Sequence, residues 1–197
     1  MTQSRIANQI DFILEIDKLK SIIRRTYLLN GARHENSAEH SWQVAAMAAI
    51  LVEHATVQID VDRVIKMLLL HDIVEIDSGD VFVYDTIGMA DKPMKEATAA
   101  KRIFGLLPAD QACEYTALWD EFEARGSSDA KFAAALDRLM PVLHNIHSQK
   151  SAWDEHGVTL EQVLERNRHI ADGSEPLWEF AEKLIRKAFA DTAVERA

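Results

Sequence analysis

Two dipeptides and one later aspartate in this chain have the residue types and spacing to do chemistry: Glu39-His40, His71-Asp72, and Asp137 within the apolar run Ala133-Ala134-Ala135-Leu136-Asp137-Arg138-Leu139-Met140. A carboxylate at the core-facing period of a helix is costly to bury unless its charge is compensated, and a divalent cation compensates it well. Neighbouring residues on a helix project about 100° apart, so His71 and Asp72 can meet at one ion at the edge of a helix. His40 and Asp137 would reach that ion from two further helices. The competing reading of Asp137 is a buried ion pair with Arg102 or with Arg138 of another copy. Two nitrogens and two carboxylates suit Mn, Co, Fe, Zn or, less readily, Mg, one ion per chain. Such an ion lowers the pKa of water from about 15.7 toward about 7 and polarises a phosphoryl oxygen, which is hydrolase chemistry. Glu75, one turn after His71, and Asp80, just after Gly79, stand near enough to orient the attacking water or protonate a leaving oxygen. Asp77, Asp85 and Asp91 read as surface charge.

The elements that must position these residues read as helices throughout, with no strand evident. The first is expected over Arg5 to Ile23, with Ile6, Ile10, Ile13, Ile16, Leu19 and Ile23 on one face, and a polar loop from Arg24 to Asn36 follows. Asn36 and Glu39 have the spacing of a capping box, so the second helix should start near Ser37 and run to about His54, placing His40 in its first turn. The third should start after Asp60 or Asp62, carry Val64, Met67, Leu68 and His71 inward, and end by Gly79. An acid-rich loop over Ser78 to Asp91 comes next. Pro93, Pro108 and Ser128 or Asp129 should open three more helices, with Gly105 and Gly126 as stops. Pro141 cannot donate to the Asp137 carbonyl and should kink its helix. Thr159 with Gln162 and Ser174-Glu175-Pro176 mark the last starts. One all-α domain over 1–197 is the economical architecture.

Composition limits the partners. Of 197 residues, 48% are hydrophobic, enough for a substantial core without a staple. The net charge of -10 argues against nucleic-acid or membrane-surface binding, so an anionic substrate needs a local cationic trap. No signal peptide or transmembrane span is read, and the expected location is cytoplasmic. Cys113 reads as a small buried hydrophobe on a helix. Trp42, Trp119, Trp153 and Trp178 read as core or interface anchors. His144 and His147, one turn apart, lack an evident carboxylate partner, and His34, His54, His156 and His169 read as surface or capping residues.

The series His40, His71-Asp72, Asp137 resembles the H…HD…D pattern of the HD-domain metal-dependent phosphohydrolases. The segments Arg33-His34-Glu35-Asn36-Ser37-Ala38-Glu39-His40-Ser41 and His71-Asp72-Ile73-Val74-Glu75-Ile76-Asp77-Ser78-Gly79-Asp80 are similar to the branch of bacterial 5'-deoxynucleotidases and HD domain-containing protein 2. So are Leu106-Leu107-Pro108, Leu118-Trp119 and Ala130-Lys131-Phe132, and the likeness covers about 15–185. The resemblance implies an all-α HD-domain bundle that hydrolyses the phosphate of (deoxy)nucleoside 5'-monophosphates. It implies metal on His40, His71, Asp72 and Asp137, catalytic roles for Glu75 and Asp80, and a homodimer. It makes Arg25 and Arg33 candidates for phosphate or sugar, since a guanidinium grips phosphate through paired hydrogen bonds. Where the bacterial deoxynucleotidases have tryptophan after the arginine matching Arg25, this chain has Thr26 and then Tyr27. Two rival readings stand beside it: hydrolysis of another small phosphate ester, a nucleoside triphosphate or a cyclic dinucleotide, or a catalytically silent metal- or nucleotide-binding module.

Overall fold

In the computed structural model, residues 4–85, 88–148 and 152–195 are described. Helix α1 (Arg5–Ile16) is capped by Ser4, whose hydroxyl accepts from the Ala7 N–H. It is shorter than the isoleucine spacing predicts: the chain leaves it through a 3₁₀ turn (Asp17–Ser21). Its orientation also differs, because Ile6, Ile10, Ile13 and Ile23 are exposed while Phe12 and Leu19 are buried. The reason is aromatic. Phe12 sits 6.4 Å from the Phe104 ring and 6.0 Å from Tyr115, and that anchor outweighs the aliphatic stripe.

The expected polar loop is instead a small antiparallel pair, β1 (Ile23–Tyr27) and β2 (His34–Asn36), with Ile23 opposite Asn36 and Tyr27 opposite His34. Strand alternation buries Arg24, Thr26 and Glu35 and leaves Arg25 outside. An inward face this polar carries no apolar period, which hides the strands in the sequence.

Helix α2 (Ser37–Leu51) begins at the expected capping box, Asn36 accepting from the Glu39 N–H and Glu39 from the Asn36 N–H. It buries His40, Ser41, Val44, Ala45 and Ala48, whereas Trp42 is 68% exposed and so is not a core anchor. Helix α3 (Val61–Leu70) is capped by Asp60 and buries Val64, Met67 and Leu68. It ends at His71. A tight turn leads into the short α4 (Glu75–Ser78), and Gly79, at φ +74°, reverses the chain so that Asp80 returns toward the site.

Helix α5 (Gly88–Phe104) begins earlier than expected and holds Pro93 inside, so the supposed loop over Ser78 to Asp91 is partly helical at both ends; its residues 86–87 lie outside the described set. Helix α6 (Ala109–Ala124) follows Pro108, and α7 (Ser128–His147) is capped by Ser127 and continues through Pro141. Four helices complete the chain: α8 (Ala152–His156), α9 (Leu160–Asn167, with the Thr159–Gln162 capping box), α10 (Ile170–Gly173) and α11 (Glu175–Glu195).

Helix α7 is the axis of this all-α bundle. It packs against α2, α3, α6, α10, α11 and β1, and its buried residues run from Ala130 to His144. The alanines at 133, 134 and 135 let neighbours approach closely, and Gly173 of α10 lies so near the Lys131 carbonyl that a Cβ there would collide with it. Full burial of Leu136 and Phe132 contributes about 1.5–3 kcal/mol each. Trp119 and Trp153 are buried as expected, but Cys113 is exposed, on the outer face of α6. Among the described residues no helix is long and apolar enough to cross a membrane.

Candidate metal centre

The start of α2, the α3–α4 turn and the middle of α7 converge. One ligand atom each from His40, His71 and Asp72 falls within a mutual 4.8 Å, and all three side chains are buried. Asp137 closes the group: its Oδ1 is 3.0 Å from His40 Nε2 and 3.5 Å from His71 Nε2, while His71 Nε2 is 3.0 Å from Asp72 Oδ1.

The donor set fits a divalent ion on a detail of His71. Its Nδ1 hydrogen-bonds the Leu68 carbonyl at 2.8 Å, which places the proton there, and the buried Nε2 has no hydrogen-bond partner. The outer nitrogen is held by the backbone, and the inner one is free to ligate. The electrostatics agree. Burial lowers the His71 pKa, but Asp72 and Asp137 override it and hold His71 up to about 10. Against the raising effect of burial, His71 and Arg24 keep Asp72 low, and Arg138 and His40 keep Asp137 well below the carboxylate range. Two ionised carboxylates drawing a proton onto imidazole mark a site that demands positive charge.

Glu75 is buried beside this group rather than solvated, and accepts a hydrogen bond of 2.7 Å from Ser37. Burial, with Asp72 and Asp80 nearby, pushes its carboxyl up to about 8. Asp80 is half-buried on the wall of the cavity that holds His71, Asp72, Glu75 and Asp137. Of the two candidate arginines, Arg33 forks onto Glu39 at 2.5 and 2.9 Å on the exposed side, and Arg25, exposed, lines the adjoining cavity that shares Arg24, Asp80 and Arg138. Arg24 is the one that enters, donating to Asp72 Oδ2 at 2.6 Å. The alternative ion pairs for Asp137 resolve in the same way: it meets its own Arg138 at 2.9 Å, and Arg102 is occupied by Asp77 and Glu15.

A sequence model of the HD domain matches residues 16–178. The chain belongs to the HD domain family. Human 5'-deoxynucleotidase HDDC2 is 31% identical over 135 residues, 68% of this chain and 65% of its own length, so this chain spans slightly under two thirds of that relative. The 5'-deoxynucleotidase yfbR of Photorhabdus temperata is 27% identical over 163 residues, 78% of this chain and 82% of its own. Among solved structures, one described as a predicted metal-dependent phosphohydrolase from Magnetospirillum magnetotacticum MS-1 superposes with a TM-score of 0.90 at 50% identity, covering 95% of this chain and 97% of that one. The cyanophage S-2L HD phosphohydrolase DatZ, solved with dA and one catalytic Zn2+ ion, shares the fold at 20% identity and a TM-score of 0.55, over 95% of this chain and 98% of its own.

This HD-domain chain also carries a group that spacing alone does not reveal. Glu35, fully buried on β2, accepts a hydrogen bond from Thr26 at 3.2 Å and lies 3.5 Å from His40 Nδ1, 3.7 Å from His144 Nδ1 and 3.7 Å from Arg24 Nε. Against burial, His40 and Arg24 keep its carboxyl low. The sequence signal was present in His34-Glu35-Asn36 but read as loop. His144 therefore does have a carboxylate beside it, on the far side of His40 from Asp137. Thr26, standing where the branch has tryptophan, is committed to Glu35, and Tyr27 stacks on His34 at 4.0 Å.

Proposed function

We propose that this protein is a metal-dependent phosphohydrolase that releases phosphate from (deoxy)nucleoside 5'-monophosphates, with His40, His71, Asp72 and Asp137 holding one divalent ion. The observation that carries the reading is the convergence of these four side chains with His71 Nε2 unpartnered and its Nδ1 tied to Leu68. When bound, a divalent ion supplies Lewis acidity toward water and a phosphoryl oxygen. The chain's own groups do the rest. Glu35 lies 3.5 Å from Nδ1 of His40 and would take up its proton's hydrogen bond when Nε2, now 3.0 Å from Asp137, turns its lone pair to an ion. Arg24 and Arg138 balance Asp72 and Asp137, and both line the cavity where a phosphate would sit.

Hydrolysis forms a bond between water oxygen and phosphorus and breaks the ester bond, with one proton moving from water to the leaving 5'-oxygen. Glu75 and Asp80 are the acids placed to carry that proton, and the raised carboxyl of Glu75 suits the donor's part. The nucleoside has a place too. The adjoining cavity, which shares Arg24, Asp80 and Arg138, is walled by Phe82, Tyr84, Val142 and Trp153. Apolar and aromatic walls beside a charged floor match a molecule with a flat ring at one end and a phosphate at the other. The names of HDDC2 and yfbR support the same substrate class. The proposal includes a cytoplasmic homodimer, on the family resemblance, and light scattering on the purified protein tests the oligomeric state.

The deciding experiment strips the protein with chelator, restores Mn, Co, Fe, Zn or Mg singly, and measures phosphate release from every deoxy- and ribonucleoside monophosphate. Release that depends on the ion and disappears in Glu75→Gln, with metal content retained, is the expected result. Silence with every ion and ester favours a binding module instead.

A further inference from the structure

We propose that Arg125, Arg166 and His169 form an anion-binding site on the wall of the metal cavity, built to take a phosphate group. The identity of the anion rests on the phosphohydrolase reading, whereas the existence of the site rests on the charges themselves.

The cavity wall holds six basic side chains besides His71: Arg24, Lys92, Arg125, Arg138, Arg166 and His169. Three are neutralised within the protein, Arg24 by Asp72 at 2.6 Å, Arg138 by Asp137 at 2.9 Å and Lys92 by Glu96 at 3.2 Å. Among the described residues, no acid lies within ion-pair distance of the other three. Glu123 shares this wall and Glu165 the adjoining groove, yet neither pairs with Arg125 or Arg166.

Arg166 and His169 stand three residues apart where α9 passes into α10, and the fold brings Arg125 to them from the end of α6. Arg125 and Arg166 stand open to solvent at the rim of the cavity and His169 is half-buried on its wall, so an anion can reach all three from outside. Burial, then Arg138 and Arg125, lowers the Arg166 pKa; burial, then Arg125 and Arg138, pushes His169 down to about 4. Neutral His169 keeps one ring N–H to donate, and its Nε2 has no partner. Arg125 adds a backbone observation. It caps α6 at φ +49°, a left-handed conformation unfavourable for a residue with a Cβ, and it does so with Gly126 next in the chain. A phosphate group supplies the missing counter-charge and acceptors, since guanidinium pairs and an imidazole N–H are strong donors to its oxygens.

The anion has two possible sources. It is either the reacting phosphate itself, gripped through its non-bridging oxygens, or a further phosphate joined to it that extends into the groove by Tyr84, Arg166 and His169. Binding of inorganic phosphate to the metal-loaded protein, measured by calorimetry at fixed ionic strength, tests the site without turnover. Arg125→Gln and Arg166→Gln should each weaken phosphate binding about tenfold or more, with metal content and melting temperature unchanged and partial recovery in Arg166→Lys. Unchanged phosphate affinity in the double Gln variant, or no phosphate binding by the parent protein, overturns the proposal. The two sources then separate by KM: a rise for deoxynucleoside monophosphates assigns the site to the reacting phosphate, and a rise confined to triphosphates assigns it to an additional one. If the parent protein hydrolyses neither, the function reading fails while the calorimetric result still decides the site.

Discussion

Asp137 and Asp110 each meet an arginine at nearly the same distance, 2.9 Å to Arg138 and 2.8 Å to Arg5, and the two pairs have little else in common. Asp110 and Arg5 join α6 to α1 on the outside of the molecule, with side chains 65% and 56% exposed. Water and salt screen that pair, and holding two mobile side chains in register offsets most of the attraction. Asp137 is inside, with two imidazoles, a second aspartate and Arg24 for company. The same contrast separates Glu35, fully buried behind His40, from Glu39, one helical turn along and forked onto exposed Arg33. Charge is spread over the whole surface of this acidic chain, but only where it is withdrawn from water does it demand a partner, and that demand marks the site.

The largest effect expected from this contrast is at Asp137. Asp137→Asn should abolish metal retention at stoichiometric ion and remove phosphate release altogether. Because it leaves Arg138 without its partner in a buried position, it should also destabilise the fold by about 3–5 kcal/mol. Asp110→Asn should leave metal content, turnover and melting temperature unchanged. Metal analysis after gel filtration and thermal melts read both variants; equal behaviour would erase the distinction between the two regions.

A smaller effect is expected one layer out. Glu35→Gln keeps the shape and the Thr26 contact but removes the charge that faces His40 Nδ1. Metal affinity should fall about 10- to 100-fold with the fold intact. Glu39→Gln, which can still complete the capping box of α2, should leave metal affinity as it was. Competition with a fluorescent chelator measures both, and an unaltered affinity in Glu35→Gln would make that carboxylate a packing residue only.

How much of this was legible in the sequence follows from where the signals are local. Helix starts were readable because a cap and its partner are three residues apart: Asn36 with Glu39, Asp60 before α3 and Thr159 with Gln162 all stand where their spacing puts them. The members of the convergent group His40, His71, Asp72 and Asp137 stood out because each is odd in its own neighbourhood, Asp137 among alanines and leucines most of all. What failed was set by distant partners. The isoleucines of α1 have a perfect helical period, yet Phe12 decides the buried face through rings that arrive from α5 and α6. The β1–β2 pair turns Arg24, Thr26 and Glu35 inward because a charged cavity lies beneath, so the apolar alternation that announces a strand is missing. Arg24 rather than Arg25 reaches Asp72 for the same reason: one position along a strand changes the face, and only the tertiary register chooses it.

A further effect is on stability against pH in the ion-free protein, and its sign can be worked out from the site. Glu75, up to about 8 when folded, titrates near 4.3 in an unfolded chain; His71, up to about 10 when folded, titrates near 6.5. Both bind protons more tightly folded than unfolded. The stability contributed by Glu75 is therefore present below about 4.3 and lost as pH climbs to 8, and that from His71 is present below about 6.5 and lost as pH climbs to 10. Asp72 and Asp137 are shifted the other way, so their contributions are lost only in acid, below about 3.9, and stay constant through the neutral range. The melting temperature of chelator-treated protein should then fall steadily from pH 5 to pH 9. Glu75→Gln should remove the slope below about pH 6.5, reduce it between about 6.5 and 8, and spare the part due to His71. Saturating divalent ion should reverse the slope, because it binds only after His71 has given up its proton and its affinity rises with pH. The exposed Asp110 offers the control, since Asp110→Asn should leave the slope untouched in both conditions. An ion-free protein that instead gains stability from pH 5 to pH 9 would mean that Glu75 and His71 are not held among the carboxylates that distinguish this region from the rest of the molecule.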